Sequence, residues 1–359
     1  MNLNDLLSKL NQAKPFLMNQ EFIPILTHFC FDKDSLTAYN DVAGIKLQMS
    51  SDIHGAVPGS MAVKMLSTLK DETVRVSMKG SKFVHVDTGT TNFDLPLLPP
   101  EEFIFEIPDT EGSTLIQLPL SFLKGLEKTL ISIGDDPLHP ERSGVTWQIS
   151  SDKITLYSTD SKSISMYEWE SDKPLTKGTI EVITPKFFCE QLISIAKNYA
   201  EELEHVDLYF NTKESFVIAD LDKICEIFTR LIQSDTNTDY DLVISNMLPA
   251  DDEIQFFGIP LGLESALDRA LVINSLNTLD GKKSYVQVLG DTINIRTENI
   301  MGGRSSDDIK FPASIGEFEF YLDPELLERS FKYTSQISIC ENLMVLTDGE
   351  KFTHLVSYS

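Results

Sequence analysis

Apolar positions recur along this chain in two rhythms, one helical and one alternating. Leu3, Leu6, Leu7 and Leu10 fall at helical spacing, as do Leu123, Leu126 and Leu130, and again Leu263, Ala266, Leu267 and Ala270. After each of these come two alternating segments around a polar turn, at 28–39, 145–157 and 285–296. A second helix is predicted over 60–69, 185–199 and 324–333. The last two place Thr184 and Asp323 as N-caps ahead of a proline at the first helical position. Further strands close each unit at 74–86, 206–218 and 337–346. One order of elements therefore runs three times. It divides the chain into domains 1–114, 115–250 and 251–359, an α+β architecture with two helices on antiparallel sheet in each.

Composition narrows the class without choosing a function. Of the 359 residues, 42% are hydrophobic and 24% charged, as in ordinary folded domains. No apolar run approaches the roughly 18–20 residues that span a bilayer, and the polar N-terminal stretch lacks the apolar core of a secretory signal. Cys30, Cys189, Cys225 and Cys340 are scattered, with no close pair, and read as buried thiols of a reducing, cytoplasmic protein. No metal or cofactor is implied. The loop 135–141, with two aspartates, His139 and Glu141, is the nearest thing to an acid–base or metal site. It reads better as a polar loop before a strand, and the doublet Gly302–Gly303 reads as a turn.

Charge changes the picture more. Lys and Arg number 30 against 55 Asp and Glu, a formal net charge of −25. So acidic a chain grips nucleic acid only if its cations are gathered on one surface. The helical windows 3–14, 60–70, 119–131, 185–200, 262–273 and 323–335 together carry a formal +3, leaving −28 for all other residues. Their cations are Lys9, Lys14, Lys64, Lys70, Lys124, Lys128, Lys186, Lys197, Arg269, Arg329 and Lys332. These residues equally suit the solvated faces of amphipathic helices. The distribution also fits a surface that accepts DNA without holding it tightly, backed by an acidic exterior.

Several stretches, in order along the chain, resemble bacterial sliding clamps, the β subunit of the replicative DNA polymerase III. They are Pro24-Ile-Leu-Thr-His-Phe-Cys-Phe31, Phe93-Asp-Leu-Pro-Leu-Leu-Pro-Pro-Glu-Glu-Phe103, Tyr157-Ser-Thr-Asp-Ser-Lys-Ser-Ile164, the segment 240–249 with its Leu-Pro ending, and Arg269-Ala-Leu-Val-Ile-Asn274. Two departures mark it as a divergent relative. Ser161-Lys162-Ser163 stands where the family has Gly-His-Arg, and the tail Leu355-Val-Ser-Tyr-Ser359 replaces Met-Pro-Met-Arg-Leu.

The resemblance implies a non-catalytic processivity factor that encircles double-stranded DNA as a head-to-tail homodimer ring, helices inside, and tethers the polymerase. The ring is opened by a separate ATP-dependent clamp loader. No phosphate-binding loop of that machine occurs here. The implied DNA-facing residues are Lys9, Lys64, Lys70, Lys124, Lys128, Lys186, Lys197, Arg269 and Lys332. The implied partner-peptide pocket comprises Thr159, Ser161, Lys162, Ile164, Pro249, Leu355 and Val356, of which Ile164 and Pro249 equally suit plain core. The implied subunit interface sets Leu95 against Val272 and Ile273 of a second copy. The alternative is a monomeric clamp-like scaffold that binds peptides without encircling DNA; mass in solution distinguishes the two.

Overall fold

The computed structural model describes the whole chain except residues 20–22, 235–237, 250–253, 278–281, 341 and 359. The elements follow one motif, a strand, a helix and then three strands, repeated six times. The first motif has α1 (Leu3–Ala13), β1 (His28–Asp32), β2 (Ser35–Tyr39) and β3 (Ala43–Gln48), and its leading strand is reduced to the bridge Asn2↔Thr73. The second has β4 (His54–Pro58), α2 (Gly59–Leu66), β5 (Arg75–Lys79), β6 (Phe83–Asp87) and β7 (Asn92–Pro96). The third has β8 (Thr114–Pro119), α3 (Phe122–Thr129), β9 (Gly144–Ile149), β10 (Lys153–Thr159) and β11 (Ser163–Glu170). The fourth has β12 (Ile180–Pro185), α4 (Lys186–Asn198), β13 (His205–Asn211), β14 (Phe216–Asp220) and β15 (Cys225–Arg230). A connecting helix α5 (Tyr240–Met247) precedes the fifth, with β16 (Phe257–Gly258), α6 (Leu263–Asn274), β17 (Ser284–Gly290), β18 (Thr292–Glu298) and β19 (Arg304–Lys310). The sixth has β20 (Gly316–Leu322), α7 (Pro324–Phe331), β21 (Gln336–Ile339), β22 (Leu343–Thr347) and β23 (Phe352–Ser357).

Local chemistry sets these boundaries. The Asn2 side chain accepts the Asn4 and Asp5 amides and caps α1, which buries Leu3, Leu6, Leu10 and Ala13 along one stripe. Asp323 caps α7 by accepting the Glu325 amide, with Pro324 in the first turn as expected. The same expectation fails at Pro185, which ends β12. Thr184 is a buried strand residue whose hydroxyl accepts a hydrogen bond from the Trp147 indole at 2.8 Å, and α4 begins only at Lys186.

Leading strands are exchanged between consecutive motifs. β4 pairs with β1, β8 with β13, β12 with β9, β16 with β21, and β20 with β17. Two further pairings join distant parts of the chain, β3 with β15 and β11 with β23, both antiparallel. They generate two eight-stranded sheets, β4-β1-β2-β3-β15-β14-β13-β8 and β12-β9-β10-β11-β23-β22-β21-β16. A three-stranded sheet β5-β6-β7 and a four-stranded sheet β19-β18-β17-β20 complete the fold.

The chain divides into two compact units. The first comprises Met1–Leu120 with Phe187–Leu231, and the second Ser121–Lys186 with Ile232–Ser359. Each holds one eight-stranded sheet and one smaller sheet. In the second unit, helix α3 approaches its sheet so closely that a Cβ on Gly125 would lie 2.1 Å from a Tyr167 ring carbon. Gly125→Ala should therefore cost about 1–3 kcal/mol despite the better helix propensity of alanine. Denaturant unfolding checks this as a lowered midpoint at unchanged slope.

Candidate functional sites

The residues singled out above fall into three sets. The first is a buried apolar cluster on the second unit, built on the seam between β11 and β23. Ile164 pairs with Leu355 across that seam, and Leu355 with Val345 on the next strand. These residues cluster with Tyr157, Leu343, Tyr240 and Ile244, and half-buried Met166, Val243, Met247 and Leu248 pack against them. The sequence reading passed over α5. Asp239 caps it by accepting the Leu242 amide, and its apolar residues Tyr240, Val243, Ile244 and Met247 lie against the strands. Tyr240 stacks on Tyr157 with ring centroids 4.6 Å apart, and the Tyr157 hydroxyl donates to Asp241 at 2.8 Å. Burial, reinforced by Asp241, raises the Tyr157 phenol above its ordinary range, so it stays a neutral donor.

Beside this cluster lies the β10–β11 hairpin. Thr159 donates its hydroxyl to the Ser163 carbonyl at 2.8 Å, Ser161 takes a left-handed conformation at φ 70°, and Lys162 is exposed. Pro249 follows Leu248 and is half-buried. Val356 departs from the expectation. Adjacent strand residues point to opposite faces, so Val356 turns away from Leu355 into a different core cluster, with Val286, Leu326 and Leu346. It supports the seam from the opposite face.

Beneath the same seam lies a buried polar cluster that the sequence did not single out. The fully buried His354 meets the Leu326 carbonyl through Nε2 at 3.0 Å, so that nitrogen carries the proton. Its Nδ1 then accepts from the hydroxyls of Ser165 at 3.0 Å and Ser132 at 3.3 Å. Burial depresses the imidazole to about 4.

The second set consists of sheet edges, one on each unit. By the pattern of the two seams, the third strand of a motif pairs with the third strand of another, yet β7 and β19 each end their sheets. Leu95 of β7 is buried opposite Val84 and offers a partner little beyond the backbone edge above it. On the other unit, Val272 of α6 is 71% exposed and Ile273 half-buried. Asn277, just past α6, accepts the Ile300 amide at 3.0 Å and donates to the Glu298 carbonyl at 3.1 Å. This places exposed Leu276, Ile300 and Met301 at one corner beside β19.

The third is the set of helix cations. Lys64, Lys70, Lys124, Lys186, Lys197, Arg269 and Lys332 are exposed, and Lys9 is half-buried, donating to the Gln48 carbonyl. Lys128 and Arg269 are paired with carboxylates of the chain. Lys128 lies 2.6 Å from Asp348 and 5.6 Å from the Phe352 ring centroid, and Arg269 lies 2.6 Å from Asp307. Lys332 sits 4.5 Å over the Tyr333 ring. Among the described residues no cluster of three or more His, Cys, Asp or Glu is arranged to hold a metal ion. Burial pushes the Cys30 thiol up to about 11 and the Cys225 thiol up to about 12, which leaves neither a nucleophile at neutral pH. No helix among the described residues is long and apolar enough to cross a membrane.

No protein-family model matches the sequence. No curated protein matches it either. Solved structures do. The DNA polymerase III β subunit of Thermotoga maritima aligns at TM-score 0.84 with 17% identity, and the β subunit from DNA polymerase of Streptococcus pyogenes does so at 0.84 with 17%. The DNA polymerase sliding clamp of Bacillus subtilis aligns at 0.83 with 18%. In all three cases the match covers 100% of this chain and 98% of the other. This chain has the bacterial sliding-clamp fold.

The hairpin Ser161-Lys162-Ser163 keeps its tight turn because Asp160 accepts the Lys162 and Ser163 amides at 3.1 and 2.7 Å. The divergent tail keeps its place as the last strand of the second seam, closed by the Ser357 amide donating to the Lys162 carbonyl at 2.9 Å.

Proposed function

We propose that this protein is a DNA sliding clamp, a non-catalytic ring that encircles duplex DNA and tethers a polymerase to it. The observation that carries the reading is the full-length clamp fold combined with two unpaired third strands. Head-to-tail pairing of β7 from one copy with β19 of another would add the missing seams, and two such contacts close a homodimer ring. The corner of Val272, Leu276, Ile300 and Met301 would be covered in that contact, and Leu95 would support β7 from beneath. The chain then reads as three domains, 1–114, 115–250 and 251–359, each formed by two motifs that exchange leading strands.

Topology, in this reading, replaces affinity. A closed ring cannot leave a duplex sideways, so the modest charge of the helices suffices and an acidic exterior discourages misplaced binding. The pocket of Ile164, Leu355, Tyr157 and Tyr240 would take short apolar peptide segments of the polymerase and of an ATP-dependent loader. A tethered polymerase would see the primer end at an effective concentration of about millimolar. The protein would work in the cytoplasm.

Light scattering tests ring formation directly. The expected mass is twice 40.4 kDa, and a monomer across the micromolar range would contradict the proposal. The helix cations are tested separately. Lys64→Ala with Lys124→Ala should leave that mass unchanged and lower the salt slope for binding a short linear duplex by about 2, near 0.9 per lost contact. An unchanged slope would remove these lysines from the DNA-facing set.

A further inference from the structure

The two seams share one local register. In the second unit Thr159 pairs with Ile164, Ile164 with Leu355 and Leu355 with Val345. In the first, Tyr39 pairs with Gly44, Gly44 with Phe228 and Phe228 with Ile218. The hairpins agree as well. Asn40 accepts the Val42 and Ala43 amides as Asp160 accepts those of Lys162 and Ser163, and Asp41 and Ser161 are both left-handed, at φ 79° and 70°. The apolar cluster of the second unit, proposed above as the peptide pocket, thus has a topological counterpart on the first.

What differs is the occupant. Over the first seam lies the segment 103–108, which is neither helix nor strand. Phe105 lies flat on Tyr39, with centroids 3.8 Å apart and planes at 4°, and 5.7 Å from Phe228. Phe103 and Ile107 pack into the same cluster with Phe216 and Ile218, while Ile104 between them is 87% exposed. Gly44 makes the stacking possible, since a Cβ there would meet Phe105 ring carbons at 2.6 and 2.7 Å. Among the described residues no backbone–backbone hydrogen bond involves residues 104–108. Among the described residues side-chain packing holds this strap, and a cavity of about 490 Å³ runs beside it, lined by Phe103, Phe105 and Ile107 with Lys46 and the acidic Asp32, Glu106 and Glu226.

We propose that this groove is a second, latent peptide-docking site, closed by the protein's own strap. Its ligand is an extended peptide with large apolar residues at alternate positions, at least one of them aromatic. The strap itself, with Phe103, Phe105 and Ile107, is the pattern of that ligand. The choice of a peptide as ligand rests on reading the second-unit pocket as a peptide site; the groove and the strap do not. A ligand ring would take the place of Phe105 on Tyr39, ring for ring, so apparent affinity is reduced by the fraction of time the strap is seated.

The test uses a fluorescein-labelled peptide of residues 101–109 and the full-length chain, read by anisotropy. Phe105→Ala unseats the strap and should tighten binding about tenfold or more over the unaltered protein. Adding Gly44→Val, which fills the stacking slot, should abolish it. Should Phe105→Ala not fold, Phe105→Leu carries the same test, with a smaller gain in the same direction. Equal affinity with and without the strap substitution, or no binding to the unseated protein, overturns the proposal. Binding lost through Met247→Glu on α5, and unaffected by Gly44→Val, also overturns it and leaves the second-unit pocket reading standing. Gain on unseating the strap that survives Met247→Glu supports the groove whatever the fate of that pocket.

Discussion

Val272→Glu combined with Met301→Glu should convert the protein into a folded monomer that no longer stays on circular DNA. Both side chains are exposed, at 71% and 78%, so neither substitution removes core packing or leaves a buried group unpaired within the chain. In the proposed ring both would be covered, and burying two carboxylates without partners should weaken association at least about a hundredfold, near 3 kcal/mol. Circular dichroism and the unfolding midpoint should match the unaltered protein, while light scattering should report one copy. A double variant that still ran at twice the chain mass would place the subunit contact elsewhere and detach the α6 corner from it.

Acid should destabilise the second unit through His354. The folded imidazole titrates near 4 against a reference of 6.5, because burial disfavours its charged form. Arg329 lowers it further and Asp160 opposes, as does the hydrogen bond to Leu326. Between those pH values the unfolded chain binds a proton that the folded one refuses. The contribution of His354 is therefore complete above about pH 6.5 and is lost as pH falls toward 4. A depression of this size corresponds to about 3 kcal/mol at its limit. Other groups also titrate in this window, so the measurement is a comparison. Denaturant unfolding of the unaltered chain and of His354→Gln across pH 4–7 should give curves whose difference shrinks as pH falls. A constant difference would show that His354 does not control the acid response.

The two predictions draw on features of very different legibility. Helix α1 was readable because Leu3, Leu6 and Leu10 bury one stripe behind an Asn2 cap, and such a pattern is local. Strand pairing is not local. Nothing near Gly44 announces Phe228, or near Ile164 Leu355, because the partners lie far apart in the chain. Only the resemblance to clamps brought Ile164 and Leu355 together beforehand. Helix α5 escaped because it is a single short segment with Ser245 and Asn246 between its apolar residues. Its signal was the Asp239 cap ahead of Tyr240, Val243, Ile244 and Met247. His354 looked like any polar residue of a terminal strand, since its burial depends on α7 and on strands from other motifs. Val356 and Leu355 were grouped together, and the structure puts them in different clusters, because neighbours on a strand face opposite ways.

The DNA reading rests on encirclement, and topology has its own assay. The protein is incubated with a nicked circular plasmid, a bacterial clamp loader and ATP, separated from free protein by gel filtration, and the plasmid is then cut once. A sliding ring should co-elute with the circle at moderate salt and leave when the plasmid is linearised. Equal retention on circular and linear plasmid, or none on the circle by a protein of twice the chain mass, would contradict encirclement.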